Sequence, residues 1–203
     1  METSGIKVVF FDIGGVLLSN GWGHLSREKA AKNFNLNYEE MSVLHNFIFN
    51  IFEIGSITLG DYLDTVVFNH PRDFSKEAFK NFMFAQSVEL PNMLPWLKEW
   101  KNNCGFRVFS INNESRELND FRIKNFSLHR LFDGFFSSCH VGMRKPDPGI
   151  FQLAMGIAQV QPNECAYFDD RLMLAETAMK LGIHSFHHKD FETTRENIIN
   201  LKK

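Results

Sequence analysis

A three-layer α/β fold is predicted, with a parallel sheet covered on both faces by helices and an all-helical insertion after its first strand. Two observations carry this. From Pro91 onward, short β-branched and aromatic runs alternate with helical stretches, and strands separated by helices pair in parallel. From about Gly21 to Pro91, by contrast, helical segments follow one another with no strand-like run between them.

The elements follow in order. Lys7–Phe11 (KVVFF) reads as a buried strand that ends in Asp12 and a turn at Gly14-Gly15. Helices are expected at Glu39–Glu53, Leu59–Phe68 and Ser75–Phe84, the last with Ser75 as N-cap. After Pro91 come a helix at Leu94–Lys101, a strand at Arg107–Ile111 and a helix around Arg116–Phe126. A strand at Gly134–Ser138, a helix around Gly149–Gln159 and a strand at Cys165–Phe168 continue the alternation. A helix at Leu172–Leu181 and a strand at Ile183–Phe186 close it. The implied division is a discontinuous core, 1–18 and 92–203, and a helical insertion, 19–91.

Composition narrows the function classes. The chain has 203 residues, 22 Lys+Arg against 24 Asp+Glu, and a formal net charge of −2, without the basic excess that nucleic-acid or acidic-membrane binding requires. Hydrophobic residues at 44% suit a packed core rather than disorder. Cys104, Cys139 and Cys165 have no short spacing, which argues against a disulfide framework or a cysteine zinc site and for a reducing, cytoplasmic setting. Neither a signal peptide nor a membrane-spanning stretch is visible. The adjacent His187 and His188 read as a solvated pair. Phenylalanine is the outlier, with 22 against 3 Tyr and 3 Trp.

In open α/β sheets the ligand crevice lies at the carboxyl ends of the strands. Four polar segments fall there. Asp12, with glycines at 14 and 15 that let backbone approach a ligand closely, suits a nucleophile or metal ligand. Asp169-Asp170 places adjacent like charges at a strand end, where they repel unless a hard cation such as Mg²⁺ sits between them. Lys145, stiffened by Pro146 and Pro148, is a cation able to neutralise phosphate oxygens. Asn112-Asn113-Glu114-Ser115 offers side-chain donors and the free amides of a helix N-terminus, which is an anion site or a simple helix cap.

In order and spacing these segments resemble the haloacid dehalogenase-like (HAD) superfamily, most of whose members are phosphatases, over nearly the whole chain. The resemblance implies a Rossmann-like core with a helical-bundle cap. It makes Asp12 the nucleophile, Asn112 the occupant of a position usually held by Ser or Thr, and Lys145 the motif lysine. Asp169 and Asp170 become the acidic motif. Mg²⁺ would be held by Asp12, the Gly14 carbonyl, Asp169 and Asp170. Asn112, Asn113, Lys145 and Gly15 would meet a small phosphorylated metabolite, in a monomer or homodimer.

One departure from the family's pattern bears on chemistry. Phosphatases of this type usually carry a second Asp two residues after the nucleophile as general acid, and here that place is Gly14. General acid–base help is worth about 10²–10⁴-fold, so alkyl phosphates should suffer most and good leaving groups least. His24 is the one nearby imidazole and is the candidate alternative proton donor. Two rival functions are a phospho-ligand-binding module that has lost turnover, and a metal-independent 2-haloacid dehalogenase, which the Asp169-Asp170 pair disfavours. Among the insertion's phenylalanines, Phe47 and Phe84 lie off the helix-packing stripes and are expected to face the site or a partner.

Overall fold

The runs of apolar residues become five strands: β1 (Val8–Phe11), β2 (Arg107–Asn112), β3 (Gly134–Ser137), β4 (Cys165–Asp169) and β5 (His184–His187). The computed structural model describes residues 5–201. All pairings are parallel, in the order β3-β2-β1-β4-β5. Every residue of β1 and β4 is buried, as continuous apolar strands covered on both faces must be.

Ten α-helices and two short 3-10 turns accompany them among the described residues: α1 (His24–Asn33), α2 (Tyr38–Glu53), α3 (Leu59–Val66), α4 (Lys76–Ala85), α5 (Met93–Cys104), α6 (Arg116–Asn125), α7 (Ser138–Val141), α8 (Pro148–Ala158), α9 (Leu172–Lys180) and α10 (Phe191–Ile199). One sheet face buries Val9, Phe11, Val108 and Phe168 with Leu97 of α5 and Ile198 of α10. The other buries Val8, Phe10, Ile111 and Tyr167 with Phe151 of α8 and Ala178 of α9. The phenylalanine surplus sits largely here. Phe11, Phe168 and Phe186 stack across neighbouring strands, with centroids 5.0 and 4.9 Å apart.

Helices α1 to α4 bury a third apolar cluster, around Ile48, Phe52, Leu63, Phe79 and Met83, which Leu118 of α6 joins. Ser75 caps α4 as expected, accepting from the Ala78 amide at 3.1 Å. The outgoing and incoming chains run side by side. Leu18 and Glu89 form an antiparallel bridge, Ser19 N–H donates to the Val88 carbonyl and Leu90 N–H to Leu17.

The structure adds three helices to the expected set: α1, the single-turn α7 and α10. Helix α1 buries only Ala30 and Ala31, so it lacks the apolar stripe that marks a helix in sequence. Its Arg, Glu, Lys and Ala residues form helix by propensity instead. Helix α10 is set by Asp190, whose carboxylate caps the Thr193 amide at 2.8 Å. Phe47 is 84% exposed and Phe84 stacks on Phe121 at 4.8 Å, so neither faces the site. The three cysteines are free and buried. Among the described residues no helix is long and apolar enough to cross a membrane.

Candidate active site

Register decides which side chains meet. Phe10 lies beside Phe109 on one side and Tyr167 on the other, so Asp12, two residues on, points to the same sheet face as Ile111 and Asp169. The Asp12 amide extends the ladder to the Phe168 carbonyl at 2.9 Å. The chain crossing from β4 into α9 brings Asp170 alongside. One carboxylate oxygen from each of Asp12, Asp169 and Asp170 lies within 4.8 Å of the others.

Lys145 is seated among them. Its ammonium is 3.1 Å from Asp12 Oδ1 and 2.7 Å from Asp169 Oδ2, and it donates to Tyr167 Oη at 2.9 Å. Only 2% of Lys145 and none of Asp169 is exposed. Burial alone would lower the lysine pKa, but the charges of Asp12 and Asp169 outweigh it and raise it, so the ammonium stays charged. Tyr167 donates its own proton to Asp169 Oδ2 and fixes which oxygen faces the lysine. Sequence reasoning missed this tyrosine. The available signal was a phenol on a buried strand two residues before an acidic pair.

Three carboxylates around one ammonium leave a surplus of negative charge. Burial first, then the charges of Asp169 and Asp170, push Asp12 up to about 7 against the pull of Lys145. Asp170 is raised by burial and by Asp169. Asp170 Oδ1 is buried with no hydrogen-bond partner. An orphaned carboxylate oxygen beside two further carboxylates is a donor set for a hard divalent cation. Gly15 makes room for it, because a Cβ there, at φ +76°, would lie 2.1 Å from Asp170 Oδ2. The residues present therefore fit a metal ion.

Several expected contacts are replaced by others. Asn112 lies beside Ser137 in the β2–β3 register and opposite in facing to Asp12. Its carboxamide is buried, donating to Asn119 at 3.2 Å and accepting from Ser137 at 2.9 Å and Ser110 at 3.3 Å. The cause is strand alternation, which gives Asp12's face to Ile111 and leaves Asn112 joining β2 to β3 and α6. Asn113 lines the cavity, but its amide clamps the backbone of Lys145, donating to the carbonyl and accepting from the N–H, both at 2.8 Å. It holds the lysine's loop in place. Gly15 N–H is spent on the Leu18 carbonyl at 2.6 Å, so its service is steric. The anion at the α6 N-terminus is the protein's own Glu114, which accepts from the Ser115 amide at 2.9 Å. Nor are His187 and His188 solvated. His187 Nε2 bonds the Asp170 carbonyl at 2.9 Å, and the buried His188 bonds Thr194 at 2.7 Å.

Above the carboxylates opens a cavity of about 1150 Å³ between the sheet edge and the helical insertion. Arg122 of α6 stitches its seam. The buried guanidinium meets Glu114 at 3.0 Å, Ser19 carbonyl at 2.8 Å and Ser87 Oγ at 3.0 Å, tying the core to both connecting chains. On the far side Arg144 bonds Glu53 at 2.7 Å and Asn50 at 2.9 Å and lies 5.0 Å over the Phe49 ring, joining the Lys145 loop to α2. His24 also lines the cavity, exposed at the start of α1.

Comparison with known proteins agrees with this arrangement. A family model described as haloacid dehalogenase-like hydrolase matches residues 6–182. Haloacid dehalogenase-like hydrolase domain-containing protein 3 of Xenopus laevis is 27% identical over 119 residues, 57% of this chain and 47% of that protein. Drimenol cyclase drtB of Aspergillus calidoustus is 27% identical over 155 residues, 73% of this chain and 29% of that protein. The chain thus spans less than half of either relative. Among solved structures, a HAD family enzyme of Bacteroides thetaiotaomicron in complex with magnesium and inorganic phosphate superposes with a TM-score of 0.80 at 24% identity, over 94% of this chain and 99% of that one. The L-2-haloacid dehalogenase RSc1362 superposes at 0.66 and 19%, over 91% and 86%. Since the family model spans both sides of the insertion and includes Asp12, Lys145 and Asp169-Asp170, the chain belongs to the haloacid dehalogenase-like hydrolase family.

Proposed function

We propose that the chain is a magnesium-dependent phosphomonoester hydrolase with Asp12 as nucleophile. The observation that carries this is the surplus of carboxylate around Asp12, with Asp170 Oδ1 left without a partner. The magnesium and phosphate held by the Bacteroides enzyme of similar fold support it. Asp12, Asp169, Asp170 and the Gly14 carbonyl would hold the ion, which supplies charge neutralisation for the phosphoryl oxygens when bound.

Asp12 then attacks phosphorus in line with the leaving oxygen. The Asp12 O–P bond forms, the P–O bond to the leaving group breaks, and the leaving oxygen takes a proton from solvent or a neighbouring group. Water attacks the aspartyl-phosphate and releases phosphate, restoring the carboxylate. Lys145 draws Asp12 toward its ionised form and orients it, and Asn113 keeps Lys145 in place. Gly14 supplies no proton, so turnover follows leaving-group acidity more steeply than in enzymes with an acid there. His24, at the cavity rim, is the proposed alternative donor. The helical insertion is the cap that selects the leaving group.

Phosphate release from aryl and alkyl phosphates with and without Mg²⁺ tests the reading. Mg²⁺-dependent release, faster for aryl esters, is expected; turnover that persists in chelator would contradict it. A 2-haloacid dehalogenase is the second reading, favoured by the similar fold of RSc1362. Metal-free chloride release from 2-chloropropionate would establish it.

A further inference from the structure

The roof of the cavity holds two hydrogen-bond donors that nothing among the described residues answers. Arg27 of α1 donates one Nη1 to the Trp22 carbonyl at 2.8 Å. Its Nε is buried with no partner, and among the described residues no carboxylate pairs with its guanidinium. Of the three other arginines that line the cavity, Arg122 pairs with Glu114, Arg144 pairs with Glu53, and the exposed Arg171 sits on the sheet side, where its charge acts on Asp170. On that side Arg27 is the half-buried cation without a carboxylate partner, whereas Lys29, which also lines the cavity, is exposed to solvent.

His45 of α2 is the second donor. Trp22 Nε1–H, a donor only, gives its proton to Tyr62 Oη at 2.8 Å, and Tyr62 Oη lies 2.8 Å from His45 Nδ1. The Tyr62 proton has no other acceptor, so it goes to Nδ1, and this network assigns the His45 proton to Nε2. Burial, and then the charge of Arg27, push His45 down to about 3, so the ring stays a neutral N–H donor at any working pH. The ring is held by stacking on Phe49 at 5.3 Å.

We propose that Arg27 and His45 form a subsite for a carboxylate carried on the leaving group of the phosphomonoester substrate. The inference rests on the phosphatase reading and adds the substrate class to it. A guanidinium fork and a neutral N–H present donors and no acceptors, which suits a planar oxyanion. A single free guanidinium balances a single negative charge. A second phosphate would bring two, into a cavity already edged by Glu53 and the carboxylates of the sheet. At about 1150 Å³ the cavity has room for a leaving group well beyond the phosphoryl itself.

The test is calorimetric binding to the full chain in saturating Mg²⁺. Non-hydrolysable phosphonates ending in a carboxylate, over a range of spacer lengths, are compared with the carboxamide of each spacer. At the best spacer the carboxylate should bind about 10–100-fold more tightly than its amide. Arg27→Gln should bring that ratio toward one. Arg27→Lys should keep part of it, since charge survives without the fork, and His45→Phe should reduce it while retaining the stack on Phe49. Carboxylate and amide bound equally at every spacer, or a preference that survives Arg27→Gln, overturns the subsite. Phenyl phosphate turnover, which carries no carboxylate, separates the two ideas. Turnover without a carboxylate preference removes the subsite alone, whereas a preference without turnover keeps the subsite and removes the phosphatase reading.

Discussion

At the carboxyl edge of the sheet the cation is fully answered: Lys145 meets Asp12, Asp169 and Tyr167 within 3.1 Å. Across the cavity, the helical insertion leaves Arg27 with no carboxylate and His45 with a free N–H. The two sides also differ in sign, with surplus carboxylate below and surplus donors above. The sheet edge is built rigidly, on strand ends whose register is set by the whole core, and it carries what every substrate needs. The insertion hangs on paired connecting chains and on the Arg122 and Arg144 bridges, and it carries what one substrate class needs. Under the proposed function, reaction and selection fall on separate layers.

The largest effect should come from the sheet edge. Lys145→Met leaves Asp12 and Asp169 buried without their cation, and breaking such a pair costs about 3–5 kcal/mol. Turnover should fall about 10²-fold or more with the loss of a charge fixed beside the reacting group. Chemical denaturation and phosphate release measure the two effects. A variant with unchanged turnover would break the division of labour.

The seam comes next. Arg122→Met strands Glu114, which burial already raises against the pull of Arg122, and should also cost about 3–5 kcal/mol by denaturant unfolding. Because Arg122 meets no carboxylate of the sheet edge, its loss should raise KM more than it lowers kcat. The reverse split would place it in the chemistry.

Metal binding sharpens the contrast through pH. Asp12 rises from 3.8 to about 7 in the folded chain, and Asp170 moves the same way. A raised carboxylate gives stability that is fully present below its unfolded value and is lost as pH climbs through the folded one. Mg²⁺ competes with those protons. The stabilisation it gives, read as a rise in Tm, should therefore grow between about pH 5 and about pH 8, reaching about 2.7 kcal/mol of free energy where the ion is 100-fold above its Kd. A gain independent of pH would remove the ion from this cluster. At the other extreme, Phe47→Ser, on an outer helix face, should change stability by about 0.5 kcal/mol or less.

The alternation of strand and helix was legible because β1 and β4 are buried along their whole length and so read as nearly continuous apolar runs. Asp12, Lys145 and the Asp169-Asp170 pair were legible because each ends a strand or stiff loop. Asn112 was misplaced because order along the chain does not reveal facing: only the pairing of Phe10 with Phe109 shows that Ile111 shares the face of Asp12. Helix α1 escaped notice because two alanines bury what a wider stripe usually buries. Arg27 and His45 depend on long-range neighbours, Trp22 and Tyr62, that no local spacing announces.

Acid quenching during turnover of an aryl phosphate with Mg²⁺, followed by peptide mass analysis, addresses the central claim most directly. The account predicts a phosphoryl group on Asp12 in the wild-type chain. It predicts none in Asp12→Asn, with turnover reduced about 10⁴-fold or more. Steady phosphate release without that adduct, or with Asp12→Asn still active, would contradict it.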